Sequence, residues 1–432
     1  MKFTMTGKRV VLSLAALTVM VCWMSSWFGG GNGASIVYAQ GAAKAVERVT
    51  EFITRKPLRV IGDDPYSNFT GVAVDEQRGQ VFLSNDSDAK GSSIETYNVE
   101  FPASQSDRVT EPLRSITGRN ANLGDICSIT VSPDFNEIFK VNGDGNGELG
   151  AYPIDGNGDI KPIREVPTSH GAWGLFLEKK YDELFVTVEH VNRVEVYPRT
   201  VDLTGNPSRF IQGPETQLAD PHGIYVNAER NEIYVVNHGH WHYTAPGRVY
   251  LQEGSIPPEL KGKRLSYADT IRPLLPSTGK FLPPSISIYS RTANGDVKPL
   301  RLIQGPKVGL DIPLGISYDT ASNQIVVPNA GDDSILFIDV KASGDVAPVR
   351  VLKGAKTLLS GPSAVSIDGK RNELWVANWS NHTATVYPRT ATGEVAPLRV
   401  IRAAPKGTMA PGFGRPGTVA FDPKRKQILV PN

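Results

Sequence analysis

Short apolar strands alternate with turns along most of the chain, and within each strand apolar and polar positions alternate with a period of two. In the stretch 363–401, the segments SAVSID, ELWVAN, TATVYP and PLRVI follow one another with turn residues between them. This pattern is typical of antiparallel strands joined in chain order. Four strands, named a to d, therefore form the basic unit of the sequence.

The four-strand unit recurs along the chain, and a proline opens strand d in each copy. Four-stranded units repeated about every 40 to 50 residues are the sequence signature of a β-propeller. We therefore predict an all-β fold, a seven-bladed β-propeller of four-stranded antiparallel blades. The seven prolines are Pro57, Pro112, Pro162, Pro207, Pro299, Pro348 and Pro397.

The two ends of the chain are predicted to meet in one blade. The seventh copy stops after strand b, at Asn432, while residues 48–61 align with the c and d strands at 385–401. An N-terminal segment that completes the last blade would close the ring and remove its open edges. We expect this closure.

The first 39 residues differ from the rest of the chain. Lys2, Lys8 and Arg9 precede an apolar run over residues 10–24, and a segment ending in Ala39 follows it. This order predicts a signal peptide, residues 1–39, and an extracytoplasmic location, periplasmic or secreted. The apolar run is short for a spanning helix, so no stable membrane span is expected after signal removal.

Residues 40–432 are then predicted to form a single propeller with one insertion. The interval between Pro207 and Pro299 is long enough for an extra segment, residues 243–284, in blade four. Because this segment leaves from the turn after strand b, we expect it to overhang one end of the propeller. Lys plus Arg is 46 against 44 Asp plus Glu, with both signs interspersed. This balance argues against a nucleic-acid partner.

Several segments carry a family resemblance. ELWVANWSNHTATVYP and QIVVPNAGDDSILFID resemble the YVTN-type repeat, and DPHGIYVNAERNEIYVVN resembles the related NHL-type repeat. The resemblance implies a seven-bladed propeller of a family that includes lactonases, streptogramin-type lyases and plain binding scaffolds. Since one fold serves all of these, the resemblance does not choose among them.

Candidate functional residues should lie at one end of the propeller. Strands a and b are adjacent and antiparallel, so the start of a and the end of b share an end. The residues just before strand a are Thr70, Cys127, Trp173, His222, Leu314, Ser363 and Gly417. The residues just after strand b are Asn85, Asn142, Glu189, Asn237, Asn329, Asn378 and Asn432. We expect each asparagine to have a structural role and to cap the turn between strands b and c, which makes Glu189 the informative exception.

All seven histidines map to this same end, which we call the histidine face; they are His170, His190, His222, His238, His240, His242 and His382. Neutral imidazole is the commonest metal ligand, and convergent histidines with a carboxylate suit zinc or another divalent ion. The sequence predicts metal ligands from His190, His222, His238 and His240. Catalytic roles are expected for Glu189 and His222, and ligand contacts for Trp173, His170, Trp241 and Trp379.

Two functions fit these residues. The first is an exported module that binds a small ligand, a metal ion or a protein partner on the histidine face. The second is a metal-assisted lyase or lactonase acting there. A third interpretation stays open: HGHWH, residues 238–242, is only a solvated polar turn, and His222 bonds a loop carbonyl.

Overall fold

The computed structural model describes residues 68–86, 91–100, 110–143, 147–202, 205–243, 279–408, 420–422 and 427–429. The predicted signal peptide and the closing segment 48–61 lie outside these ranges, as does most of the insertion. Within the described part of the chain, no helix is long and apolar enough to cross a bilayer. The elements are short β-strands, joined by turns and a few single-turn 3-10 helices.

Six four-stranded antiparallel sheets make up the blades. Blades one and two contain β1 Asn68–Asp75, β2 Gln80–Asp86, β3 Ser93–Asn98, β4 Arg114–Thr117, β5 Ile126–Ser132, β6 Glu137–Asn142, β7 Glu148–Pro153 and β8 Arg164–Pro167. Blades three and four contain β9 Ala172–Glu178, β10 Glu183–Val188, β11 Arg193–Pro198, β12 Arg209–Ile211, β13 Pro221–Asn227, β14 Glu232–Asn237, β17 Ser285–Ser290 and β18 Arg301–Ile303.

The last two blades follow the same order. They contain β19 Ser317–Asp319, β20 Gln324–Asn329, β21 Ser334–Asp339, β22 Arg350–Lys353, β23 Pro362–Asp368, β24 Glu373–Asn378, β25 Thr383–Pro388 and β26 Arg399–Arg402. Two small ladders complete the set: β15 His240–Tyr243 with β16 Gly279–Leu282, and β27 Ala420–Asp422 with β28 Gln427–Leu429. The first ladder lies between β14 and β17, where the sequence places the insertion.

The propeller has six blades, and the prediction of seven is wrong. Blade six packs directly on blade one, with Trp375 and Val386 in the same apolar cluster as Phe69 and Val72. Ser363 Oγ also donates to the Phe69 carbonyl at 3.3 Å. Since these two blades already share a buried interface, no place between them is left for a seventh. Counting strand d prolines gave seven because Pro57 was included, as part of a blade completed by the final a–b pair. Of that proposed blade, only β27 and β28 are described.

Small residues let the innermost strands approach one another closely. The sequence analysis placed one residue just before each strand a, and the residue that follows it is small in all six blades. The six small residues are Gly71, Ser128, Gly174, Gly223, Gly315 and Ala364. A Cβ atom on Gly174 would lie 2.1 Å from the His222 carbonyl oxygen, and one on Gly223 would lie 2.6 Å from the Gly315 carbonyl carbon. Neither approach is possible for a larger residue, so this inner ring of residues sets the spacing of the blades.

Arginine–glutamate pairs join the strands at the end of the blades opposite the histidine face. In blade four, Arg301 donates to both oxygens of Glu232 at 2.7 and 3.1 Å, and Arg230 Nε donates at 2.9 Å. Tyr234 also donates to this carboxylate. Burial raises the pKa of Glu232, but the hydrogen bonds from Arg301, Tyr234 and Arg230 lower it to about 2.

We expect Gly174→Ala to destabilise the propeller by about 2 kcal/mol or more, because its methyl group would collide with the backbone of the next blade. Urea unfolding measures the change. Gly369→Ala is the matched control: its added Cβ would meet Glu76 Oε1 at 3.5 Å, an ordinary contact. Equal stability of the two variants would contradict the close approach of the inner strands.

The Glu232 carboxylate should stabilise the fold in a pH-dependent way. Its lowered pKa means that the stabilisation is complete above the unfolded-state pKa of about 4.3 and is lost as the pH falls through about 2. Glu232→Gln should therefore cost about 2 kcal/mol at neutral pH and progressively less in acid. The exposed Glu215, which pairs with Lys298 at 3.2 Å, provides the control: Glu215→Gln should change stability by less than about 0.5 kcal/mol.

Candidate functional site

The end of strand b and the start of strand a do share one end of each blade. Ile126 pairs with Asn142, Pro221 with Asn237, and Pro362 with Asn378 in the antiparallel ladders. Blades three and four therefore present the turns after β10 and β14 beside the entries to β9 and β13. The candidate site lies where these turns meet.

The asparagines after strand b are structural, although they bond a different turn from the one expected. Asn237 Oδ1 accepts from the Ala219 amide at 3.1 Å, and Asn329 Oδ1 accepts from the Asp311 amide at 2.7 Å. Asn237 Nδ2 also donates to Ser287 Oγ on strand c at 3.0 Å. Each side chain thus ties the loop that enters strand a to its own sheet. Their sequence position predicted instead that they would cap the turn between strands b and c.

Glu189 replaces this asparagine in blade three and contacts two histidines. It opens a single-turn 3-10 helix, Glu189–Val191. Its Oε1 lies 2.9 Å from His190 Nε2, and its Oε2 lies 3.2 Å from His222 Nε2. Burial alone would raise the pKa of Glu189. The hydrogen bonds from the two imidazoles outweigh burial and bring this pKa well below its usual range. The carboxylate is therefore ionised and orients both rings.

His170 extends this chain of contacts by one residue. Its Nδ1 lies 2.6 Å from Nδ1 of His190, and the two rings are stacked with centroids 4.7 Å apart. His170 is buried, whereas the His190 side chain is 37% exposed. The contacts therefore run without a break from His170 through His190 and Glu189 to His222. Within this series both end residues are buried, and His190 is the accessible one.

Asp220 supplies a second carboxylate from blade four. Its φ of 58° lies in the left-handed region, and the equivalent positions in blades three and six are Gly171 and Gly361, both with positive φ. The amide of Asp220 donates to Asn192 Oδ1 at 2.7 Å, which fixes this strained turn to blade three. The equivalent position in blade five, Ile312, is also left-handed with φ of 47°, so the importance of Asp220 is argued from the contacts of its carboxylate.

The Asp220 carboxylate lies between two histidines. Its Oδ1 is 3.9 Å from His222 Nδ1 and its Oδ2 is 3.6 Å from His238 Nδ1. The donor atoms of these three residues all lie within 4.8 Å of one another. Burial alone would raise the pKa of Asp220. The hydrogen bond with His238 and the charge of His222 outweigh burial, so this pKa lies below its usual value.

The His222 and His238 rings are stacked, with centroids 3.4 Å apart and planes inclined by 16°. Burial lowers the pKa of His222, but Glu189 and Asp220 raise it above its usual value. Burial and the neighbouring His222 lower the pKa of His238. The buried Nε2 of His238 has no hydrogen-bond partner among the described residues, and such an atom calls for a bound group.

Neighbouring groups hold His222 in place. Thr187 Oγ accepts from the Gly174 amide at 2.7 Å and donates to the His222 carbonyl. The Trp173 ring lies 4.4 Å from the His222 ring, centroid to centroid. His222 Nδ1 also lies 3.0 Å from the Asp220 carbonyl oxygen, so the loop-carbonyl contact expected as an alternative is present as well.

The structure brings most of the predicted site residues together. Those assembled at blades three and four are His170, Trp173, Glu189, His190, His222 and His238. Trp379 opens a separate 3-10 turn after β24 in blade six. His240 and Trp241 lie in β15, the base of the insertion, and their side chains are outside the described part.

Sequence reasoning missed Asp220. The signal was weak: Asp220 immediately precedes β13, at a position where two other blades have glycine. Recognising it required knowing that its carboxylate meets His222 and His238. Glu189 was found because it interrupts a visible series of asparagines.

Comparisons with known proteins assign no family to the chain, and its fold is taken from the six four-stranded sheets. No family model matches the chain, and no curated protein matches it. The chain is a β-propeller. Solved structures that resemble it include a functionally unknown protein from Desulfotomaculum acetoxidans DSM 771, with 13% identity, a TM-score of 0.45, and 79% of this chain and 88% of that chain covered.

Two further structures are similar at the same level. A chain of the Nidogen/Laminin complex has 14% identity and a TM-score of 0.43, with 74% of this chain and 95% of that chain covered. A chain of Kuenenia stuttgartiensis hydrazine synthase has 12% identity and a TM-score of 0.45, with 78% and 100% covered. The function is therefore argued from the site itself.

Proposed function

We propose that this protein is an exported β-propeller that binds a divalent transition-metal ion through Asp220, His222 and His238. The observation that carries the proposal is the convergence of one carboxylate and two imidazoles within 4.8 Å. Export rests on the sequence of residues 1–39, and the YVTN/NHL-type resemblance remains part of the same proposal.

The separations suit an ion after a small adjustment. Ligand atoms about 2.1 Å from a tetrahedral zinc ion lie roughly 3.4 Å apart. The distance of 3.6 Å between His238 and Asp220 is close to this value, and the 3.9 Å between His222 and Asp220 exceeds it by about half an ångström. A rotation of the imidazoles, which are now stacked, would direct one nitrogen of each ring to the ion.

Glu189 supports the site without needing to ligate the ion. A carboxylate that accepts from one nitrogen of a ligating histidine fixes the ring and raises the basicity of the other nitrogen. Glu189 holds Nε2 of His222 in this way, so Nδ1 is the nitrogen that would bind the ion, in exchange for its contact at 3.0 Å with the Asp220 carbonyl oxygen. Among divalent ions, two imidazoles and one carboxylate favour zinc, copper, nickel or iron over magnesium and calcium.

Three protein ligands leave a coordination position for an outside group. In zinc proteins this open position is where water, a substrate or a partner's side chain binds. Trp173 contacts the His222 ring and is half-buried, so it offers an aromatic surface beside that position. The site can therefore hold a small molecule or a partner's donor group on the ion.

A second candidate function is a metal-assisted lyase or lactonase at the same site. The exposed imidazole of His190 favours it, because a histidine held by the same carboxylate as His222 can exchange a proton with solvent. Glu189 would then hold the histidines in position, and a histidine would move the proton. Turnover of a lactone by the metal-loaded protein would distinguish this candidate from binding alone.

Untagged wild-type protein, stripped with EDTA and titrated with Zn²⁺ by calorimetry, should bind one ion per chain. Asp220→Gly should weaken binding by at least about tenfold, and so should His238→Ala. Glu189→Gln should weaken it less than either. Glycine adopts the left-handed turn without strain, but Asp220→Gly also removes a carboxylate that contacts two histidines, so a melting curve recorded beside the titration establishes that the variant is folded.

Asp155→Gly is the matched control, since Asp155 is 73% exposed and lies in blade two. Its affinity for zinc should equal that of the wild type. The proposal fails if the stripped wild-type protein binds no stoichiometric zinc, or if Asp220→Gly binds it as tightly as the control.

A further inference from the structure

A channel runs along the axis of the propeller and encloses about 190 Å³. All six innermost strands line it, which are β1, β5, β9, β13, β19 and β23. By volume it has room for on the order of ten water molecules, or for one small organic molecule. It is separate from the candidate metal site, because Asp220, His222 and His238 do not line it.

The lining of the channel contains no charged side chain among the described residues, although 21% of the whole chain is charged. Its polar groups are of two kinds. Hydroxyls come from Ser128, Thr130, Ser317 and Ser366. Backbone groups come from the innermost strands, each of which is the edge strand of its sheet and so has one side without a ladder partner.

Two partly buried aromatic residues line the channel and also pack against the apolar clusters between the blades. Phe176 and Tyr225 line it on blades three and four, with ring centroids 4.7 Å apart in an edge-to-face arrangement. The ring of Tyr318, from blade five, packs against the Tyr225 ring with centroids 5.6 Å apart. The hydroxyls lie on blades two, five and six, so the aromatic and hydroxyl surfaces occupy different parts of the wall.

We infer that this channel binds an uncharged polyhydroxy compound of about monosaccharide size. The C–H face of such a ring packs on an aromatic wall, while its hydroxyls bond the serine and threonine side chains and the free strand edges. A charged compound should bind more weakly, because no charged side chain among the described lining residues compensates the loss of its hydration. The inference is independent of the metal proposal.

The test is calorimetry in EDTA, so that the metal site plays no part. The probes are D-glucose and myo-inositol, with D-glucuronate and D-glucosamine as charged compounds of similar size. At least one neutral probe should bind saturably, and each charged probe should bind at least about tenfold more weakly. Tyr225→Leu should weaken the neutral probe by about tenfold. The double variant Ser317→Ala with Ser366→Ala should weaken it by about fivefold or more.

Tyr181→Leu is the matched control, because Tyr181 is 42% exposed and does not line the channel. Its affinity for the neutral probe should be unchanged. If Tyr225→Leu does not fold, the serine double variant carries the test. The inference is overturned if neither neutral probe binds, if the charged probes bind equally well, or if every folded channel variant binds like the control.

Discussion

The close approach of the innermost strands is the constraint on which the rest of the structure depends. Only a small residue fits where they meet, and the shortest approach is that of Gly174 to the His222 carbonyl. Thr187 fixes the same carbonyl from blade three. The backbone of His222 is therefore set by the blade before it, so the site is built into the packing of the ring and not only into a flexible surface turn.

The electrostatics of the site follow from this placement. Acidic and imidazole groups alternate from Glu189 through His222 to Asp220, and each carboxylate contacts two histidines. Burial alone would raise the pKa of both acids, but the effect of the imidazoles is larger, so both pKa values are lowered. Without a metal ion the site is already held together by its own charge pattern, and an ion would replace the protons shared among the histidines.

The sequence predicted the four-strand blades, the common end of strands a and b, and the convergence of histidines, because each depends on local periodicity and on antiparallel pairing. It did not predict the blade number, since ring closure depends on whether blade six packs on blade one, as Trp375 and Phe69 show. Asp220 was missed because its importance depends on which side chains its carboxylate meets across two turns. The channel lining was missed because its residues come from six separate strands.

The central claim is that one carboxylate and two histidines from adjacent turns hold a metal ion at the junction of blades three and four. Zinc K-edge X-ray absorption on the loaded protein tests it most directly. The account predicts a first shell of nitrogen and oxygen at about 2.0–2.2 Å with the scattering of two imidazoles. Sulfur at about 2.3 Å would place the ion on a cysteine, such as Cys127 in blade two, and not on the two histidines. That result, or a shell of oxygen alone, would contradict the account.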